Sequence, residues 1–375
     1  MPSPALVNDL MANDAQEWFA WIALGFGSLI ASATFILLIR RWRSVLNLLD
    51  IPGQRSSHVQ PTPRGAGVAI VACVVLGLTT AAIYAPTQFY RPWLFYLFGA
   101  LLVANVSWLD DIRGEPVWLR FLIHFLAALM FITGGGYLIA FQAPLVGRLH
   151  LGWLGLPLIA LWLVGMTNAY NFMDGIDGLA GNQALIAGVA WFGIGVFTNQ
   201  TALVVVALLL VTSTLGFLAH NWPPASIFMG DVGSAFLGFT LATIAVIAGG
   251  IDARLPLIGA LFIWPFIFDP IFTILSRLRR RENIFQAHRG HLYQRLVIGG
   301  YSHRFVTLLY SYLALSGVFL AWAWFLRIPG SEAAIVVLMP LMAASLWGFV
   351  VRHERRLAAQ ARPAAAEPVE NQPET

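Results

Sequence analysis

Hydrophobic residues along the chain fall into long runs separated by short polar segments. A helix needs about 20 apolar residues to cross the hydrocarbon core of a bilayer. Eleven runs approach that length. The pattern therefore predicts an all-α integral membrane protein with about eleven transmembrane helices, at roughly 18–39, 65–85, 93–109, 119–139, 153–169, 183–198, 200–219, 234–250, 255–276, 304–326 and 332–351.

The composition agrees with this pattern. Hydrophobic residues make up 58% of the chain and charged residues 11%, whereas soluble domains carry about 25% charge. No connection between two runs is long enough to form a soluble domain. We expect one polytopic domain over 18–351, with a short periplasmic N-terminal segment, 1–17, and a disordered cytoplasmic tail, 352–375. The single cysteine, Cys73, lies in an apolar run and excludes disulfides and thiolate metal clusters.

The basic residues predict the orientation of the chain in the membrane. All 22 are arginine. With the N-terminus outside and the C-terminus in the cytoplasm, eighteen lie on the inner side, and four remain outside: Arg91, Arg148, Arg254 and Arg327. This asymmetry favours that orientation. The basic balance then reflects contact with anionic membrane lipid, and we expect no nucleic-acid partner.

In this orientation the polar clusters fall on the cytoplasmic face. They lie in the inner connections at 40–64, 110–118, 170–182, 220–233 and 277–303, whereas the outer connections are short and chemically ordinary. A transporter usually places its polar groups near the bilayer midplane, on broken helices from repeated halves. Polar groups at helix ends on one face favour an enzyme with a cytoplasmic active site.

Two of these clusters are rich in carboxylates. Asp110 and Asp111 are adjacent and repel each other, so a cation or a shared proton must relieve them, unless they are a solvated loop pair. The stretch NAYNFMDGIDGLAGN (168–182) sets four polar residues at three-residue intervals, Asn168, Asn171, Asp174 and Asp177. Its glycines weaken the helix and permit close approach of a ligand. A turn-rich loop is the alternative, but the regular spacing disfavours it.

Two further clusters suit phosphate. In IFMGDVGSAFLGF (227–239), Asp231 stands between two glycines before an apolar run, where backbone N–H groups attract phosphate and a lone carboxylate suits Mg²⁺. In AHRGHLYQRL (287–296), His288, Arg289 and His291 suit a diphosphate because arginine presents a fork of donors to anionic oxygens. A basic segment that touches lipid headgroups is the alternative, but it leaves the two histidines unexplained.

Two other ionisable residues lie in the interior of predicted spans. We interpret His124 as a packed, hydrogen-bonded residue rather than a ligand. Asp269 lies about two turns before Arg277, and an ionisable group within a span costs roughly 2.5–3.5 kcal/mol on insertion scales. We therefore treat Asp269 as a candidate site-facing residue.

The ordered motifs resemble those of the polyprenyl-phosphate N-acetylhexosamine-1-phosphate transferases. The matching segments are RSSHVQPTPRGAG, SWLDDIRG, NAYNFMDGIDGLAG, IFMGDVGSAFLGF and AHRGHLYQRL, in the family's order over residues 55–296. PPASIFMGDVGS and AHRGHLYQRL look most like the branch that begins O-antigen or related polysaccharides.

This resemblance implies a reaction. Undecaprenyl phosphate attacks the β-phosphate of a UDP-N-acetylhexosamine and releases UMP, with Mg²⁺, or Mn²⁺ in its place, neutralising charge. It also implies roles. Metal binding falls to Asn171 and Asp231, and placement or deprotonation of the lipid phosphate to Asp110 and Asp111. The nucleotide end is lined by Asn168, Asp174 and Asp177, and phosphate oxygens are held by His288, Arg289 and His291.

The sequence departs from the family pattern at two positions. Arg120 replaces a lysine nine residues after the second aspartate of the pair, so a compact charge becomes a fork, and we include Arg120 among the substrate-binding candidates. Ala66 replaces a glycine. A transporter or flippase for a lipid-linked sugar is the alternative function. The choice of sugar, and whether the chain forms a homodimer, stay open.

Overall fold

The computed structural model describes residues 4–42, 49–50, 61–283, 286 and 288–361, and the side chains of 17–41, 61–283, 286 and 288–360. Residues 55–60, the first half of the motif RSSHVQPTPRGAG, lie outside the described residues, as does most of the predicted tail. The motif AHRGHLYQRL is described from His288 onward.

The described chain is almost entirely helical. Its helices are α1 (Pro4–Trp42), α2 (Gly67–Tyr84), α3 (Arg91–Arg113), α4 (Val117–Thr133), α5 (Gly155–Phe172), α6 (Leu179–Phe197), α7 (Thr201–Asn221), α8 (Asp231–Ala248), α9 (Leu255–Phe262), α10 (Trp264–Arg279), α11 (Leu292–Ile298), α12 (His303–Phe325) and α13 (Ser331–Ala361). Short 3₁₀ turns occur at Pro86–Gln88 and Gly152–Leu154. The all-α class predicted from the sequence is confirmed.

Within the described residues, nine helices are long and apolar enough to cross a membrane, and the bent pair α9–α10 would make ten. The apolar part of α1 is Glu17–Arg41, although the helix itself begins at Pro4. The remaining predicted span is α4, which has 17 residues. All eleven predicted runs therefore contain helix, and the chain is a multi-pass membrane protein.

Two predicted spans differ from the structure in detail. The run 119–139 ends as a helix at Thr133, because three glycines follow and Gly135 adopts a φ of +94°. The run 255–276 is not one straight helix, because α9 and α10 meet at an angle of 77°. Pro265 lacks the N–H that would continue the helix through this bend, and Ile263 at the break departs from helical geometry, with φ −122° and ψ 19°.

Two small antiparallel β-ribbons accompany the helices. Strands β1 (Leu49–Asp50) and β2 (Thr62–Pro63) pair before α2. Strands β3 (Ala140–Ala143) and β4 (Gly147–His150) form a hairpin between α4 and α5, with Ala140 opposite His150. The backbone N–H of Gln142 donates to the carbonyl of Ala253, 2.8 Å away, so this hairpin is held against the connection between α8 and α9.

The centre of the bundle is α8. Every residue from Val232 to Ala248 is buried, and the helix packs against α2, α3, α5 and α9. Small residues permit this burial, since a Cβ added to Gly233 would lie 2.6 Å from the Cα of Gly67. The start of α8, which carries Asp231, is therefore held firmly among three neighbouring helices.

Candidate active site

Five helix ends meet around one cleft. The C-terminal ends of α3, α5 and α10 and the N-terminal ends of α4 and α8 lie at the same end of the bundle, beside the segment that precedes α11. They enclose a cleft of about 330 Å³. Six of the predicted site residues line it: Arg120, Asn168, Asn171, Asp231, His288 and His291.

Arg120 joins two carboxylates in this cleft. Its Nη1 atom is 2.5 Å from Oδ2 of Asp110 and 2.9 Å from Oδ2 of Asp231. The other oxygen of Asp110 accepts the backbone N–H of Glu115 at 2.6 Å. The guanidinium of Arg120 therefore lies between Asp110 and Asp231. It does not lie between the adjacent pair Asp110 and Asp111, for which the sequence predicts a cation or a shared proton.

Asp111 holds the start of α8. Its two carboxylate oxygens accept the backbone N–H groups of Asp231 and Val232, each at 3.0 Å, and its side chain is buried. These are N–H groups that the helix itself cannot satisfy. Gly230, at φ +78°, brings the backbone so close that a Cβ there would lie 2.7 Å from Asp111. Asp111 thus positions Asp231, and its catalytic role stays a prediction.

The two asparagines stand one turn apart near the end of α5. The amide nitrogen of Asn171 donates to the hydroxyl of Ser234 on α8 at 3.0 Å. The amide nitrogen of Asn168 donates to the carbonyl of Val164 at 2.7 Å and lies 3.2 Å from Nδ1 of His124. In both residues the amide oxygen has no hydrogen-bond donor among the described residues, so it is available to a ligand. The interpretation of His124 as a packed, hydrogen-bonded residue is confirmed.

Asp174 belongs to a group of neighbouring carboxyl groups at the end of α5. It is half-buried in the loop that follows α5, and its carboxylate meets no donor in the part of the chain described here. Burial, followed by the charges of Asp231, Asp111 and Asp177, raises the pKa of Asp174 well above its ordinary value. A cation bound between these carboxylates would lower their mutual repulsion.

Asp177 contacts a different part of the molecule from the cleft-lining residues. One carboxylate oxygen accepts the N–H of Ala225 at 3.0 Å, and the other lies 3.3 Å from Nδ1 of His303. The hydroxyl of Thr307 donates to the Asp177 carbonyl at 2.9 Å. Asp177 therefore ties the loop after α5 to α12, and its predicted contact with the nucleotide is not tested by this geometry.

The histidine segment is fixed by a buried carboxylate. Asp269 on α10 is fully buried, and Nδ1 of His291 lies 3.3 Å from its Oδ1 atom. Asp269 also accepts the N–H groups of Leu292 and Tyr293 at 2.9 and 3.1 Å. The hydroxyl of Tyr310 donates to it at 2.6 Å. Asp269 does not line the cleft; it caps α11 and orients His291, which does.

The other two members of this segment differ in placement. His288 lines the cleft, and its Nδ1 atom accepts the N–H of Gly290 at 3.2 Å. Burial, then the neighbouring charges of His291 and Arg277, lowers the pKa of His288 to about 4. Its imidazole is therefore neutral near pH 7. Arg289 is half-buried, and it is not among the described residues that form the cleft wall.

Sequence reasoning missed several supporting residues. Arg64 donates through Nη2 to the backbone carbonyl of Asp111. Its position inside a recognised motif was the available signal. The hydroxyl of Tyr293 donates to the carbonyl of Phe172 at 2.8 Å, and a Cβ on Gly175 would lie 2.1 Å from that hydroxyl. The glycine is thus required by packing against Tyr293, a contact that no local pattern reveals.

The donor set at the start of α8 suits a hard cation. Within the described residues, no three His, Cys, Asp or Glu side chains are grouped as ligands of a metal ion. Mg²⁺ does not require such a group, because it usually takes one or two carboxylates and completes its shell with water and substrate phosphates. The Asp231 carboxylate and the free amide oxygen of Asn171 are oxygen donors of the required kind.

Sequence comparison relates the chain to known transferases. The profile described as Glycosyl transferase family 4 matches residues 93–249. The chain is 32% identical over 283 residues to the probable undecaprenyl-phosphate N-acetylglucosaminyl 1-phosphate transferase of Bacillus subtilis (strain 168), covering 74% of this chain and 77% of that protein. It is 31% identical over 294 residues to the decaprenyl-phosphate N-acetylglucosaminephosphotransferase of Mycobacterium leprae (strain TN), covering 70% and 73%.

A third relative is named for a different transferase activity. The chain is 30% identical over 313 residues to the phospho-N-acetylmuramoyl-pentapeptide-transferase of Synechococcus sp. (strain JA-2-3B'a(2-13)), covering 80% of this chain and 89% of that protein. All five ordered motifs lie within 55–296, and the family profile includes three of them. The chain belongs to the polyprenyl-phosphate N-acetylhexosamine-1-phosphate transferases, within glycosyl transferase family 4.

Proposed function

We propose that this protein transfers N-acetylhexosamine 1-phosphate from a UDP-N-acetylhexosamine to undecaprenyl phosphate and releases UMP. The observation that carries the proposal is the carboxylate cluster of Asp110 and Asp231 around Arg120, beside two asparagines, in a cleft at one end of a membrane bundle. Two carboxylates that share one guanidinium suit a substrate that arrives with its own metal. Membership of the family supports the same reaction.

In this proposal Asn171 and Asp231 hold Mg²⁺, with Mn²⁺ as the alternative ion. The bound ion would neutralise the diphosphate of the donor. The available amide oxygen of Asn171 and the partly exposed carboxylate of Asp231 support this assignment. Asp111 serves them indirectly, because it fixes the first turn of α8 through two backbone hydrogen bonds.

Asp110 is the carboxylate that we assign to the lipid phosphate. Both oxygens of Asp111 are held by the start of α8, whereas Oδ2 of Asp110 contacts the guanidinium of Arg120. An arriving phosphate competes for Arg120, which frees Asp110 to take a proton from the phosphate hydroxyl. The deprotonated lipid oxygen then attacks the β-phosphorus, the bond from that phosphorus to the bridging oxygen breaks, and UMP leaves with the electron pair.

The remaining cleft residues contact phosphate oxygens. The neutral His288 has its Nδ1 atom occupied by the N–H of Gly290, so its Nε2–H is the donor. His291 is held by Asp269 and lies with its ring centroid 5.1 Å from that of His288. Two imidazoles at this separation suit two oxygens of one diphosphate. We also assign Arg289 to phosphate oxygens. The nucleotide part of the donor is assigned to Asp174 and Asp177.

The site's position supports a cytoplasmic reaction at the inner membrane. The cleft lies at the end of the helical bundle where most of the arginines are predicted, which is the cytoplasmic end. The N-terminus would lie on the outer side. The product would initiate an O-antigen or a related cell-envelope polysaccharide. A homodimer stays a prediction.

The proposal is tested by nucleotide release from purified protein in detergent. Undecaprenyl phosphate and Mg²⁺ are incubated with a panel of UDP-N-acetylhexosamines, and UMP and UDP are separated. We expect UMP that depends on both the lipid and the metal, and that is lost in Asp231→Asn. Asp252→Asn, a matched change in the connection between α8 and α9, should retain turnover. Release of UDP, or of no nucleotide, would contradict the proposal.

A further inference from the structure

His124 lies inside a predicted membrane span, one helical turn after Arg120, and forms part of the cleft wall. Its side chain is buried. An ionisable residue in a span is rarely retained without a function. The reaction proposed above assigns His124 no role.

The hydrogen bonds around Asn168 fix the direction of its amide. The amide nitrogen lies 2.7 Å from the carbonyl of Val164. If the amide were rotated by half a turn, its oxygen would lie 2.7 Å from the carbonyl oxygen of Val164, and neither atom could donate a hydrogen bond. Asn168 must therefore turn its NH₂ group toward the Val164 carbonyl.

This direction in turn fixes the tautomer of His124. The same NH₂ group lies 3.2 Å from Nδ1 of His124 and has a second hydrogen to donate. Nδ1 must then be the acceptor, so the ring proton is on Nε2. A protonated imidazole would bring an N–H against an N–H. His124 is consequently neutral, and its buried Nε2–H has no acceptor among the described residues.

The contacts of Asn168 with Val164 and His124 leave its amide oxygen available to a ligand in the cleft. Both amide hydrogens are used by Val164 and His124, and the amide oxygen has no donor in the described part of the chain. Asn168 therefore presents an acceptor alone. The matching group on a ligand is a hydrogen-bond donor, such as an imide N–H or a hydroxyl.

We propose that His124 is a positioning residue, which holds Asn168 so that its amide oxygen accepts a hydrogen bond from an N–H or O–H of the UDP-sugar. The inference rests on the proposed function. The inference adds two statements to that function. The substrate must donate the hydrogen bond to Asn168, and His124 is the residue that makes Asn168 the acceptor. A side chain that donated to Asn168 would disturb this arrangement, whereas a side chain that accepted would preserve it.

The test compares His124→Leu with His124→Gln in the UMP-release assay. Leucine removes the acceptor. Glutamine can present its carbonyl oxygen to the Asn168 amide. We expect His124→Leu to raise KM for the UDP-sugar about tenfold or more, with a much smaller change in KM for undecaprenyl phosphate. His124→Gln should recover most of that loss. In an Asn168→Ala background, where the positioned amide is already absent, neither substitution of His124 should change KM further.

A second measurement separates positioning from stability. The affinity of the UDP-sugar, measured by calorimetry on each folded variant without undecaprenyl phosphate, should fall in His124→Leu and return in His124→Gln. Equal KM and affinity in wild type and His124→Leu would overturn the inference, as would a loss in His124→Leu that glutamine does not recover. A wild-type protein that releases no UMP would instead contradict the proposed function.

Discussion

The guanidinium of Arg120 lies 2.9 Å from the carboxylate of Asp231, although 111 residues separate them in the sequence. The same nitrogen contacts Asp110. This places the one departure from the family's charged pattern at the centre of the candidate site. A single guanidinium nitrogen makes both contacts, so Arg120 supplies its positive charge to both carboxylates at once.

The first prediction concerns this bridge. Arg120→Gln leaves two close carboxylates without their cation, and we expect kcat/KM to fall about 100-fold, which corresponds to about 2.7 kcal/mol of lost stabilisation. Arg120→Lys keeps the charge and should stay within about tenfold of wild type. Steady-state UMP release measures both. Arg113→Gln, an exposed arginine at the end of α3, is the control. Wild-type kinetics in Arg120→Gln would refute the bridge's role.

The second prediction assigns Asp111 to stability as well as activity. In Asp111→Asn, one of the two backbone N–H groups at the start of α8 would meet an amide NH₂ instead of an oxygen. Loss of such a cap costs about 0.5–2 kcal/mol. We expect the melting temperature in detergent to fall by several degrees, whereas Asp110→Asn should lower turnover with a smaller shift. An unchanged melting temperature in Asp111→Asn would argue against the capping role.

The third prediction concerns Asp269, which contacts no substrate in our account. Asp269→Asn replaces an acceptor of several hydrogen bonds with a group that donates on one side. Leaving a buried group without its partner costs about 1–3 kcal/mol. We expect both a lower melting temperature and a large fall in kcat, because His291 loses its orientation. Tyr310→Phe removes a single donor and should show the same changes on a smaller scale.

How far the sequence predicts this site depends on the range of each contact. Hydropathy finds eleven apolar runs that all contain helix, but not the short helix α11 or the two β-ribbons. The resemblance to the family identifies six candidate residues that line one cleft. Asp269 shows where prediction ends. It appears from the sequence to be a candidate site-facing residue, yet its partners are His291 and Tyr310, which only helix packing brings near. The capping by Asp111 and the bend between α9 and α10 likewise depend on tertiary structure.

The fourth prediction follows from the raised pKa of Asp174. A carboxyl whose folded pKa is raised contributes stability that is present below about pH 4 and is lost as the pH rises through the folded value. Asp174→Asn should therefore raise the melting temperature of the metal-free protein at pH 7.5 while it lowers turnover. The variant should also gain less stability from added Mg²⁺ than wild type does, since less repulsion remains to be relieved.

Asp252 provides a control of opposite sign. Although burial alone would raise its pKa, hydrogen bonds from Arg254 hold the pKa of Asp252 below its ordinary value. Asp252→Asn should lower the melting temperature at pH 7.5. A fall in both variants would show that Asp174 is not under electrostatic strain.

The central claim is that the sugar moves together with one phosphate. A UDP-N-acetylhexosamine labelled with ³²P at the β-phosphate distinguishes this reaction from ordinary glycosyl transfer. The donor that releases UMP is incubated with the protein, Mg²⁺ and undecaprenyl phosphate, and the lipid is extracted. Our account predicts that the label appears in the lipid fraction, in proportion to unlabelled UMP. Label that stays in the aqueous fraction as UDP, while the lipid gains sugar, would contradict it.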